Sequence, residues 1–135
     1  MPLTFEERRE LIRYRIERAE STYKEAEDTA HLGHWILTVN RLYYTLFYIS
    51  NALLLDKGMY AKTHAGVIAK ISEHFVKSGP LSKEDGRILG SLQTMRCKGD
   101  YDDYVEWTES DVMAYFPKVR QLMDKMKGMI HVELK

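Results

Sequence analysis

The run Arg96-Cys97-Lys98-Gly99-Asp100-Tyr101-Asp102-Asp103-Tyr104 gathers one arginine, three aspartates and two tyrosines into a few residues. A guanidinium can hold a phosphate in a two-pronged fork, and neighbouring tyrosines add stacking surfaces, so one reading is a site for RNA or a nucleotide. The other reading is structural. An arginine near a helix C-terminus suits the negative end of the dipole, satisfies terminal carbonyls and can pair with Asp100, Asp102 or Asp103. Three carboxylates oppose phosphate affinity unless arginines elsewhere occupy them. On side-chain chemistry alone the structural reading leads.

Other chemistries find less support. Asp28, His31 and His34 could share a helix face, but a di-iron bundle site needs Glu-x-x-His pairs, and none occurs. The single cysteine, Cys97, excludes a cysteine-built zinc site and an internal disulfide. Its neighbours Arg96 and Lys98 would at most lower its pKa. Gly86, Gly90 and Gly99 follow no strand and do not make a phosphate loop. No metal and no cofactor are expected.

The elements that must carry these residues read as helices throughout. Thr4 and Glu7 form a capping box for a first helix with apolar positions Leu11, Ile12, Ile16, Ala19, Tyr23 and Ala26, ending near Asp28 to Ala30. A second, from about His34 to Asp56, is apolar nearly all round. Leu32, Ile36, Val39, Tyr43, Leu46, Ser50 and Leu53 make one heptad-like row, and Trp35, Leu42, Phe47, Ile49 and Leu54 cover other faces. Such a helix is buried within its own bundle or against a second copy. Its polar stripe of Asn40, Arg41, Tyr44, Tyr48 and Asn51 either fixes register or walls a cleft or dimer seam. Thr63 caps a third helix closed by Ser78-Gly79-Pro80. Ser82, with Asp85 three residues on, caps a fourth that Gly99 ends. Thr108 or Ser110 starts a fifth through Ile130, with Pro117 kinking it or limiting its first turn. The expected fold is all-α, an up-and-down bundle of four to five helices in one domain spanning residues 1–135.

Composition agrees with a globular chain: 44% hydrophobic residues, 30% charged. Lys+Arg and Asp+Glu both number 20, so no global field draws in nucleic acid or membrane. Locally, Lys57 to Lys98 holds eight Lys/Arg against three Asp/Glu, whereas Gly99 to Asp111 holds six acids and no base. The N-terminus lacks a signal-peptide apolar stretch and no apolar run approaches membrane-spanning length, so the expected location is the cytoplasm.

Asn40-Arg41-Leu42-Tyr43-Tyr44 followed by Asn51-Ala52-Leu53-Leu54-Leu55-Asp56-Lys57-Gly58 resembles the second helix of HEPN-domain proteins. Lys62-Thr63-His64-Ala65-Gly66-Val67, His74-Phe75-Val76-Lys77-Ser78-Gly79, and Arg96 with Gly99-Asp100-Tyr101-Asp102-Asp103-Tyr104 resemble one bacterial and archaeal subgroup. The similarity runs from about residue 8 to residue 126. It implies a homodimeric helical bundle, a minimal nucleotidyltransferase as partner in a toxin–antitoxin-like system, and RNA or a nucleotide as ligand. The family's RNases carry Arg-x(4–6)-His in a cleft across the dimer, and some are adenylylated on a tyrosine just after that histidine. Here Arg96 matches the arginine, while Tyr101, Asp102 and Asp103 stand where histidine would. An ordinary histidine exchanges protons near neutrality and tyrosine only near about pH 10.

The resulting expectation is a nucleotide/RNA-binding or interaction module in which Asn40, Arg41, Tyr44, Arg96 and Asp100 bind and Tyr101 or Tyr104 receives a modification. The alternative is a metal-independent endoribonuclease with Arg96 as phosphate clamp and Tyr101 or His64 as acid–base group.

Overall fold

The computed structural model describes residues 3–131, and their regular structure is entirely helical. Helix α1 spans Phe5–His31 and α2 Trp35–Asp56; α3 is His64–Ile71, α4 Lys83–Tyr101, α5 Glu109–Met113 and α6 Tyr115–Gly128. The buried apolar side chains join into one cluster.

α1 starts where the sequence says it should. Thr4 Oγ1 accepts from the Glu7 backbone N–H at 3.1 Å, and Glu7 returns a bond from the Thr4 N–H at 2.9 Å. Gly33, at φ +72°, then reverses the chain after α1 in a left-handed conformation that favours glycine. The two long helices lie antiparallel, as their cross-links show. Arg15 Nη1 reaches the Asn51 carbonyl, Arg18 Nη2 the Tyr48 hydroxyl, Arg41 Nη1 the Glu25 carboxylate, and the Thr29 and Thr38 hydroxyls meet at 2.9 Å.

α2 packs against each of the other five helices, which absorbs its apolar surface within the chain. Leu42, Tyr43, Leu46, Ile49 and Leu53 are fully buried. The heptad-like row breaks at its start: Leu32 is 70% and Ile36 41% exposed. Leu32 sits just past the end of α1, as its C-cap.

α3 is capped by Thr63, whose hydroxyl accepts from the Gly66 N–H at 2.9 Å, and continues into a π-helical turn, Ser72–Val76. Gly79 closes that turn because a Cβ there would lie 2.7 Å from the Phe75 Cα and carbonyl oxygen. α4 begins with the Ser82–Asp85 capping box. It differs from expectation at its other end, since Gly99 does not stop it and the helix runs on to Tyr101. The glycine serves packing instead. A Cβ would meet Ile36 Cγ2 at 3.2 Å and Trp107 Nε1 at 3.6 Å, so its bare backbone lets α2 and the following loop close in. The expected fifth helix is two, broken at Ala114, with Pro117 in the first turn of α6, where a missing N–H costs little.

Candidate functional site

α4 and α2 together place Arg96 in an aromatic setting. Arg96 is only 9% exposed, and its guanidinium carbon stands 5.0 Å from the Tyr43 ring centroid and 5.7 Å from that of Tyr44. Because α4 continues past Gly99, Asp100 lies one turn beyond Arg96 on the same face, and Arg96 Nη1 reaches its carboxylate at 3.4 Å. That bond is long, and among the described residues Nη2 hydrogen-bonds to the Cys97 sulfur at 3.7 Å while Nε is buried without a hydrogen-bond partner. Burial opposes the charge of Arg96. Tyr44, Cys97, Tyr43 and Asp100 around it outweigh that and hold its pKa above the ordinary arginine value.

The polar stripe of α2 joins the same cluster. Asn40 Nδ2 donates to Asp100 Oδ2 at 3.3 Å, while Asn40 Oδ1 accepts from Arg41 at 2.6 and 3.0 Å. Arg41 in turn holds Glu25 of α1 and lies 5.4 Å from the Tyr44 centroid. A relay therefore crosses three helices: Glu25, Arg41, Asn40, Asp100, Arg96. Tyr44 is within cation–π reach of both guanidinium groups. Asn40, Arg41, Tyr44, Arg96 and Asp100, the residues expected to bind, are thus brought together.

The two tyrosines of the run are not part of this cluster. Tyr101 is 76% exposed and Tyr104 fully so, and no hydrogen bond or ring contact among the described residues ties either to Arg96. Tyr104 adopts φ 61°, a left-handed conformation uncommon for a bulky residue, at the turn after α4. Asp102 and Asp103 are exposed as well, which leaves Asp100 as the one carboxylate of the run on Arg96.

His64, by contrast, enters the cluster from the first turn of α3. Its Nδ1 is 2.7 Å from the Tyr43 hydroxyl, and its ring stacks on Phe47 at 4.2 Å between centroids. Burial, and secondarily the charge of Arg96, holds its pKa below the usual histidine value. Burial likewise raises that of Tyr43, so the pair is a neutral imidazole against a protonated phenol. The sequence offered the residue in its Lys62-Thr63-His64 signature but no spacing that links it to Arg96. The signal was Tyr43, a tyrosine in the apolar row of α2 whose hydroxyl needs a hydrogen-bond partner once the ring is buried.

Asn40 and Asp100 also face an open groove of about 740 Å³, whose other walls are Gly33 to Leu37, Val105, Glu106 and Trp107. Among the described residues no three His, Cys, Asp or Glu side chains converge on a metal position. His31 ends α1 and His34 precedes α2, so with Asp28 they do not share one helix. No helix of the described residues is long and apolar enough to cross a membrane.

A family model described as the HEPN domain matches residues 12–129. The chain belongs to the HEPN-domain family. A UPF0332 protein of Thermotoga maritima is 34% identical over 124 residues, 92% of this chain and 94% of that relative. Two proteins of Methanocaldococcus jannaschii named as candidate toxins are also similar. One is 32% identical over 88% of each chain, the other 29% identical over 83% of this chain and 76% of its own length. The HEPN match takes in α2, α3 and α4, the helices that supply Asn40, Arg41, Tyr43, Tyr44, His64, Arg96 and Asp100.

Proposed function

We propose that this chain is a HEPN-type nucleotide/RNA-binding or interaction module with a toxin-like role, homodimeric and partnered by a minimal nucleotidyltransferase. The observation that carries the reading is the unfinished coordination of Arg96. A guanidinium that has lost its water normally has its donors satisfied. Here one contact is a long carboxylate bond, one is to sulfur and Nε has none. A phosphate would complete the fork, and the half-buried Tyr44 ring beside it suits a base. The names of the Methanocaldococcus relatives support the toxin-like role. Tyr101 and Tyr104, both exposed to a second protein, are the acceptors if the partner transfers a nucleotide.

The test is binding of a fluorescently labelled oligoadenylate RNA by anisotropy. Arg96→Lys keeps the charge and loses the fork, so it should weaken binding by about tenfold, near 1.4 kcal/mol. Unchanged affinity in a variant with native circular dichroism sinks the phosphate role.

One observation favours a second reading, metal-independent RNA cleavage. His64 shares the Tyr43 ring with Arg96 and is held neutral, as a proton acceptor must be. If Nδ1–H donates to the Tyr43 oxygen, Nε2 is left to accept a proton. His64 is then a better base than Tyr101. Cleavage in EDTA that survives Tyr101→Phe but is lost in His64→Ala would establish this reading; no cleavage by the wild type would remove it.

A further inference from the structure

The groove beside the Arg96 cluster combines an apolar floor with an acidic rim. Trp35, Ile36, Leu37, Val105 and Trp107 supply the floor. Ile36 and Leu37 are 41% and 47% exposed, an uncommon exposure for adjacent large aliphatics on a helix that is otherwise buried by the rest of the bundle. Asp100 and Glu106 stand on the wall, and Asp102 and Asp103 are exposed on the adjoining turn. Among the described residues Asp102, Asp103 and Glu106 have no ion-pair partner. From Gly99 to Asp111 the chain has six acids and no base, so this rim is uncompensated by its own segment.

That chemistry selects an occupant. An anionic phosphodiester backbone meets repulsion at the rim, and Asn40 and Asp100 already spend their polar atoms on Arg41, Arg96 and each other. A small apolar ligand would leave the carboxylates unused. A helix with an apolar stripe flanked by lysine or arginine satisfies both features, its stripe filling the floor and its cations meeting the rim. We infer that this groove is the docking surface for a basic amphipathic helix of a partner protein, placed against Asn40 and Asp100 at the edge of the Arg96 site. The inference deepens the interaction-module reading and rests on it. It adds where the partner binds and what chemistry its binding segment carries.

Both tryptophans of the chain, Trp35 and Trp107, line this groove, so intrinsic fluorescence reports its occupancy directly. The full chain is titrated with a synthetic helical peptide of about 18 residues bearing leucine at i, i+3, i+4 and i+7 and lysine elsewhere. The control peptide has glutamate in place of lysine. Expected are a saturable blue shift that salt weakens, an affinity at least about tenfold lower for the glutamate peptide, and about tenfold weakening in Glu106→Lys. Leu37→Asp, at an exposed position that leaves the fold intact by circular dichroism, should abolish the shift. No saturable shift with the lysine peptide overturns the inference, as does equal affinity for both peptides or a shift unaffected by Leu37→Asp. A shift produced by oligoadenylate would assign the groove to nucleic acid. A shift that follows protein concentration, with doubling of mass by light scattering, would assign it to a second copy. Both outcomes also overturn it. Arg96 is not itself a lining residue of the groove, and Leu37 is not part of the Arg96 cluster, so loss of RNA binding in Arg96→Lys and loss of peptide binding in Leu37→Asp separate the two readings.

Discussion

Arg96 and Arg120 are both arginines that tie one helix to another beside a tyrosine ring, and they are finished very differently. Arg120 of α6 grips Glu20 of α1 at 2.8 and 3.1 Å and Asp124 of its own helix at 2.7 and 3.2 Å, with Tyr23 at 5.4 Å. Those hydrogen bonds, Glu20 first, hold its pKa above the ordinary value, and Glu20 is lowered in return. Arg96 is more deeply buried and has one long carboxylate bond. Charge satisfied at the surface is what a structural clamp needs. Charge buried and left short of hydrogen-bond partners is what the proposed phosphate site requires.

The contrast can be attacked at its supports. The largest effect should come from Tyr43, the fully buried ring that meets both Arg96 and His64. Tyr43→Ala should cost about 3–5 kcal/mol in urea unfolding, since it leaves a cavity and strands the imidazole. A loss below about 1 kcal/mol would mean that the ring is not the platform described. Next, Arg120→Met should cost about 1 kcal/mol, because its pairs are partly solvated, and should leave RNA affinity unchanged. An RNA defect there would erase the distinction between the two arginines.

The smallest effect concerns His64. Its folded pKa is depressed by burial and by Arg96, so on acidification the unfolded chain takes up the proton first. Its contribution is therefore intact above about pH 6.5, is lost as pH falls from there through the lower folded value, and then levels off. The stability difference between wild type and His64→Phe should narrow over that acid window. A difference that is flat with pH would show that His64 is not held neutral by its surroundings.

Much of this fold is legible in local chemistry. Thr4 with Glu7, Ser82 with Asp85, and Thr63 each satisfy orphan N–H groups of the helix they start, and a cap acts within one turn whatever the tertiary structure. The site is legible only in part. Arg96 was expected to pair with Asp100, Asp102 or Asp103, and reading Gly99 as a stop left that choice open, because a glycine that makes room for Ile36 and Trp107 looks the same in sequence as one that ends a helix. His64 was out of reach for another reason. Its approach to Tyr43 depends on how α3 docks on α2, and no periodicity within either helix encodes that distance. The groove floor was hidden in the same way, since Ile36 reads as part of the apolar row of α2 until the packing leaves it 41% exposed.

The central claim is that Arg96 is kept for a ligand rather than for the fold, and Arg96→Met tests it most directly. Methionine fills a similar volume without a charge to desolvate, so stability should stay within about 1 kcal/mol of wild type or rise. In the same protein, affinity for labelled oligoadenylate should fall at least about tenfold. A variant destabilised by about 3 kcal/mol or more that still binds RNA with wild-type affinity would contradict the account, and would make Arg96 a second structural clamp like Arg120.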